Sequence, residues 1–320
     1  MRSSRWSSSA ALLCAALASL VGARTARAAV CGGAVPCACG DTVKGTAVLA
    51  ADLGICKGIG LAVVSGSVLD CAGHTVTGSD KPGAWYGLKV DSATGATVRN
   101  CKVTLFRRGI RIRGGGKHVI TGNESFKNRY GIDVAAATTQ NRIENNSVHD
   151  NRDEGIHLGT GSNQNSVLGN QLVHNKNENL YLLEVQGSNV SGNVISRGGK
   201  AAIYVKYSDN NSFSENTLSD GPAQVRGDSS GNVFTGNRLT GAGYFFEAYQ
   251  DPTTLVWTFP HDNTVDGGSI KRAANCFRFF GAYDNHARGV GTDGACVPAL
   301  MGALGGQEPT GNTVDLVPAH

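Results

Sequence analysis

A helical pattern is missing from the long middle of this 320-residue sequence. Its apolar residues alternate with polar ones and do not recur at three- and four-residue spacing, which excludes a helix bundle. Proline and methionine are scarce, at 8 and 2, while glycine reaches 44, a balance suited to many tight turns between short strands. Beyond the first thirty residues no stretch is long and apolar enough to cross a membrane. Basic runs and RNA-binding signatures are also lacking, and a net charge of +4 is too mild to suggest nucleic acid. It is compatible with an acidic polymer as ligand.

What is present is a repeat over residues 86–226. Asn123, Asn146, Asn170, Asn193, Asn216 and Asn237 recur at 23, 24, 23, 23 and 21 residues. Three residues before each stands an apolar residue: Ile120, Ile143, Val167, Val190, Phe213 and Phe234. Such a period signals stacked units. Each unit holds period-2 apolar runs and Gly/Asn/Ser/Asp turns, so the expected object is a coil of short parallel strands. Neighbouring coils would lie about 4.8 Å apart. At that spacing each Asn can bond the one above and the one below, and as a residue tolerant of left-handed backbone it fits a turn.

The start of the chain reads as a secretory signal over residues 1–28. Met1-Arg2-Ser3-Ser4-Arg5 is basic, 10–21 is apolar, and Ala26-Arg27-Ala28 is a cleavage site. Leu13 before Cys14 does not suit a lipid anchor. A secreted or periplasmic, monomeric protein is expected. Cleavage leaves eight cysteines, an even count that favours disulfides. Cys276 with Cys296 is one expected pair, being alone near the C-terminus. Cys71 with Cys101 is another, since both stand at the Asn-ladder position of earlier coils. Cys31, Cys37, Cys39 and Cys56 then pair among themselves in an order left open. Cys37-x-Cys39 lacks the two-residue gap of zinc sites.

The organisation expected is a Cys-rich cap at 29–60, coils over 61–240, an aromatic insertion at 241–262, a last coil and disulfide-closed cap at 263–301, and a loose tail at 302–320. The insertion would either stack sugar rings or pack over the last coils. Within the first coil, Leu69-Asp70-Cys71-Ala72-Gly73-His74-Thr75-Val76-Thr77-Gly78 resembles right-handed parallel β-helix proteins. These include pectate lyases, alginate C5-epimerases and the periplasmic accessory proteins of nitrous oxide reductase maturation. The resemblance implies an all-β, single-stranded right-handed parallel β-helix and says little of activity. Tyr130-Gly131-Ile132-Asp133 is similar to the start of the epimerase motif Tyr-Gly-Phe/Ile-Asp-Pro-His-Asp, in which Tyr, Asp and His are functional. Here Val134-Ala135-Ala136 replaces the rest, so the motif His is absent from its place.

Alternation along each strand sends Ile132 and Val134, Ile156 and Leu158, Leu180 and Leu182 inward. The outward column then reads Lys89, Arg111, Asp133, His157, Tyr181, Tyr204, Gln224. A second reads Asp91, Arg113, Ala135, Gly159, Leu183, Lys206, Arg226, and a third Tyr86, Arg108, Tyr130, Glu154, Glu178. Such columns are ordinarily just solvated. Here cations flank a central Asp133, His157 and Tyr181, with small residues Ala135 and Gly159 beside them. Breaking or inverting a uronate unit needs a cation on its carboxylate, a base for the C5 proton, and an acid. Arg111 suits the first task, His157 the second, and Tyr181 or Tyr130 the third, with Asp133 orienting His157. Lys89, Arg108, Arg113, Tyr130, Glu154, Tyr204, Lys206 and Arg226 would bind substrate. The expected function is a polysaccharide lyase or C5-epimerase on an acidic polysaccharide. A non-catalytic β-helix, binding a polysaccharide or assisting an exported partner, is the alternative. A hydrolase using Asp133 and Glu154 ranks third. No cofactor is required, although Ca²⁺ at His149, Asp150, Asp153 and Glu154 is conceivable.

Overall fold

The computed structural model describes residues 29–319, and residues 1–28, where a secretory signal is expected, lie outside them. Among the described residues there is no helix. The chain winds as a parallel β-solenoid. One face stacks 13 parallel strands, from Val30–Cys31 to Val297–Gly302. The remaining strands form two further stacks, mostly of three-residue strands with a buried centre. One runs through Val98, Ile120, Ile143, Val167 and Val190. The other runs through Val76, Val103, Ser125, Val148 and Leu172.

Alternation explains the core. Leu88, Ile110, Ile132, Ile156, Leu180 and Ile203 stack in register and are essentially inaccessible. Each such side chain contributes about 1.5–3 kcal/mol of apolar burial. The glycine before each of the first four, Leu88 to Ile156, is required by close approach. A Cβ on Gly131 would lie 2.3 Å from Val148 Cγ1 and 2.5 Å from the Gly155 carbonyl oxygen.

The Asn ladder is present. Asn146 Nδ2 donates to Asn170 Oδ1 at 3.0 Å and to the Ile120 carbonyl at 2.9 Å, and Asn170, Asn193 and Asn216 repeat the pattern. The left-handed residue is the one before each ladder Asn, as in Gly122, Asn145, Gly169, Gly192 and Glu215, not the Asn itself. A second ladder runs Asn141, Asn165, Ser188, Asn211, Asn232, Asn263, Asn285, Asn312. His118 heads it, fully buried, accepting from the Ala96 N–H at Nδ1. All eight described cysteines are bridged, as Cys31–Cys37, Cys39–Cys56, Cys71–Cys101 and Cys276–Cys296.

The expected cap at 29–60 is stapled by Cys31–Cys37 and Cys39–Cys56, and it is built of regular rungs: Asp41–Val43 and Thr46–Val48 pair in register with Ile59–Val63 and Val68–Asp70. Cysteine density hid the alternation of Val43, Ala47 and Leu49, all buried. The insertion is shorter than 241–262, because Tyr244–Glu247 is a regular rung whose Tyr244 and Phe246 stack on Ala223 and Val225. Only a hairpin of Tyr249–Gln250 with Trp257–Thr258 leaves the solenoid. The tail is not loose, since Thr313–Pro318 pairs with His286–Thr292 and Asn312 prolongs the second ladder.

Candidate functional site

Strand Tyr130–Ala135 buries Ile132 and Val134 and turns Asp133 outward. Register places His157 of Ile156–Leu158 beside it, then Tyr181 of Glu178–Leu183 and Tyr204 of Ala201–Lys206. Though outward, Asp133 is only 2% exposed, because neighbours close over it. Arg108 Nε ion-pairs with its Oδ2, and His157 Nδ1 lies 3.0 Å from Oδ1. Burial pushes the Asp133 carboxyl up, but the hydrogen bond and charge of His157, with Arg108, outweigh it and hold the group below the usual carboxylate range. An ionised carboxylate only accepts, so the His157 nitrogen facing it, Nδ1, carries a proton, and Nε2 is the ring nitrogen turned away from Asp133.

The His157 ring stacks on Tyr181 at 5.3 Å and tilts against Tyr130 at 6.5 Å. Its Nε2 has no hydrogen-bond partner and little access. Space beside it exists because residue 159 is glycine: a Cβ there would stand 3.2 Å from Cε1 and 3.5 Å from Nε2. Tyr181 continues the stack onto Tyr204 at 5.1 Å. Burial raises both hydroxyls, with Tyr204 adding to the rise at Tyr181, so both stay protonated. Tyr130 is raised by burial and then by Asp153 and Glu154, with Arg108 and Arg129 against its ring at 5.2 and 5.1 Å.

Two carboxyls complete the cluster. Burial raises Glu154, and Asp153 adds to it; Glu154 Oε2 has no partner. Burial also raises Glu178, against the opposing Lys200 3.9 Å away. The alternation places Glu178 in the column but does not single it out, because its burial is a tertiary property. The carboxyls are thus pushed apart, Asp133 below and Glu154 and Glu178 above the usual carboxylate range.

The other candidates flank this cluster. Arg111 is buried and turned toward the preceding coil, its Nη1 donating to Tyr86 Oη at 2.7 Å. Lys89 pairs with Asp91 at 3.2 Å. Arg113 is exposed, with no ion pair among the described residues. At the far end Lys206 Nζ sits 3.5 Å from the centre of the Tyr249 ring, and Arg226 lies 5.5 Å from it, so the hairpin closes that end. A cavity of about 630 Å³ lies beside Trp85 and not over His157. In the turn considered for Ca²⁺, Asp153 faces Arg129 and Asp150 bonds His149. Among the described residues no group of three or more His, Cys, Asp or Glu converges as a metal site.

Solved structures share this architecture at low identity, which shows the fold alone. The A-module of mannuronan C-5 epimerase AlgE6 of Azotobacter vinelandii superposes with a TM-score of 0.54 at 13% identity, covering 89% of each chain. A point mutant of the periplasmic alginate epimerase AlgG gives 0.51 at 13%, over 84% of this chain and 77% of that one. The Dettilon tailspike protein gp208 gives 0.53 at 11%, over 88% and 61%. No curated protein sequence matches. A family described as "periplasmic copper-binding protein (NosD)" matches residues 55–244. Copper prefers thiolate, thioether or imidazole donors. Here the eight described cysteines are in disulfides, and Met301 is the one methionine among the described residues, exposed on the surface. His149 and His174 approach Asp150 but are engaged by Glu124 and Arg197. The described residues therefore do not fit a copper centre. The family match nonetheless spans more than half of the sequence, and this chain belongs to the NosD family.

Proposed function

We propose that this is an exported, carbohydrate-active β-helix that acts on a uronate-containing polysaccharide by abstracting the C5 proton, as a lyase or a C5-epimerase. The observation carrying the reading is the Asp133–His157–Tyr181 stack, in which an ionised carboxylate fixes the imidazole tautomer. Nε2 of His157 takes the C5 proton. The electron pair moves into the substrate carboxylate as an enolate, which a cation stabilises. We assign this cation to Arg111, in register with Asp133, and to Arg108, which pairs with the Asp133 carboxylate. In a lyase the C4–O bond then breaks and the leaving oxygen takes a proton. In an epimerase C5 is reprotonated from the other side. We assign either donation to Tyr181, stacked against His157, and the carboxyl of Glu154 is the stronger acid beside it. Lys206, Arg226 and Tyr204 would hold neighbouring sugars. No step requires a cofactor, and turnover should survive EDTA.

A second reading, a non-catalytic β-helix binding a polysaccharide or assisting an exported partner, is favoured by the covered Nε2 and by the family itself. Solvent deuterium at C5, together with the ultraviolet absorbance of an unsaturated product, separates the two on a panel of uronate polymers. Either signal supports catalysis. Binding without either supports the second reading.

A further inference from the structure

A cavity of about 630 Å³ lies around the corner from His157 and is unused by the chemistry above. Its floor is set by a third ladder. Phe106 N–H donates to Asn128 Oδ1, Asn128 N–H to Asn151, and Asn151 N–H to Asn175. The residue after each of these rungs is basic: Arg107, Arg129, Arg152 and Lys176. Arg129, Arg152 and Lys176 each donate a backbone N–H to the rung residue one coil earlier, so they share one position on successive coils. All are exposed. Coils repeat at about 4.8 Å, and like charges at that spacing repel.

The corresponding position after the first ladder reads Lys102, Glu124, Ser147, Gln171, Val194, Thr217 and Arg238, basic only at its two ends. An unbroken run of cations on four successive coils distinguishes this corner from that one. Two are neutralised within the protein, Arg129 by Asp153 and Arg152 by Asp80. Arg107, Lys176 and the nearby Lys81 have no ion pair among the described residues. The wall is the loop carrying Lys81 and Trp85. Trp85 is 46% exposed, and the Arg107 guanidinium lies 4.9 Å from its ring centre. A flat aromatic surface beside spaced cations is the chemistry that recognises sugar rings bearing carboxylates. Arg129 also packs on Tyr130, which joins this corner to the His157 cluster.

We propose that this corner is a second binding site for acidic glycan, built from Trp85, Arg107 and Lys176 and continuous with the His157 face through Arg129 and Tyr130. It rests on the reading of the protein as one that engages acidic polysaccharide, but not on any chemistry at His157.

The test is affinity electrophoresis of the mature protein in gels containing alginate, polygalacturonate, polyglutamate or neutral dextran, with turnover followed in parallel. Trp85→Ala and the double variant Arg107→Ser/Lys176→Ser leave both internal ion pairs intact. Retardation by a polyuronate should weaken about tenfold in the double variant, as expected for two exposed ion pairs. It should weaken also in Trp85→Ala, with no retardation by dextran. Unchanged retardation in both variants, with wild-type turnover, overturns this site and leaves the catalytic reading standing. Weakened retardation without turnover on any polymer supports this site and removes the catalytic reading. Equal retardation by polyglutamate, or none by any polyuronate, overturns the site.

Discussion

Asp133 Oδ1 and His157 Nδ1 lie 3.0 Å apart across adjacent coils, and the other oxygen of the same carboxylate is held by Arg108. Two strands in register create this contact, without any loop. Rigid sheet elements hold such geometry more tightly than loops do.

Asp133→Asn should therefore lower turnover by about 10²–10⁴-fold, the range for loss of an acid–base group. It should also change the acid limb of stability. A carboxyl held below its unfolded value contributes stability above the unfolded pKa of about 3.9 and loses it as pH falls through the folded value. Urea midpoints measured from pH 5 downward should fall more steeply in the wild type than in Asp133→Asn.

Glu178 has the opposite sign. Its carboxyl is raised by burial, so its contribution is full below the unfolded value of about 4.3 and is lost as pH rises through the folded one. Glu178→Gln should raise the urea midpoint at pH 8 and leave it nearly unchanged at pH 4. An equal effect at both pH values would contradict the assignment.

His118 is buried in the second ladder, and burial lowers its pKa. Its stabilising contribution is present above the unfolded value of about 6.5 and falls as pH drops below it. His118→Asn, which supplies the ladder's own amide, should keep the fold and flatten the slope of thermal midpoint against pH between 5 and 7. His118→Ala should strand the Ala96 N–H at a cost of about 1–3 kcal/mol.

Asn170 accepts from Asn146 and donates to Ile143 and Asn193. Asn170→Ala leaves several buried groups unpaired, each worth about 1–3 kcal/mol. Its thermal midpoint should fall by several degrees, well beyond that of a surface change such as Gln171→Ala.

Much of this was legible because a strand's period of two leaves no freedom once register is known. Lys89, Arg111, Asp133, His157, Tyr181, Tyr204 and Gln224 form the column that alternation alone requires. Cys71–Cys101 followed from the same register. The second ladder is hidden in the sequence, because it opens on His118 and Ser188 interrupts its run of Asn. The rung at Tyr244–Glu247 resembles an insertion because aromatic residues fill positions that the preceding coil gives to Ala223 and Val225. The basic corner had a readable signal, Phe106, Asn128, Asn151 and Asn175 each followed by a cation. The aim of Arg111 at Tyr86 and the burial of Glu178 had none, since both depend on neighbouring coils.

The most direct test is incubation of the mature protein with alginate, polygalacturonate and polyglucuronate in D₂O, following deuterium at C5 and the absorbance of unsaturated product. The account predicts one of these signals on a polymer the protein binds, lost in His157→Ala and reduced in Tyr181→Phe. A bound polymer that shows neither signal, or a signal that His157→Ala leaves intact, would contradict it.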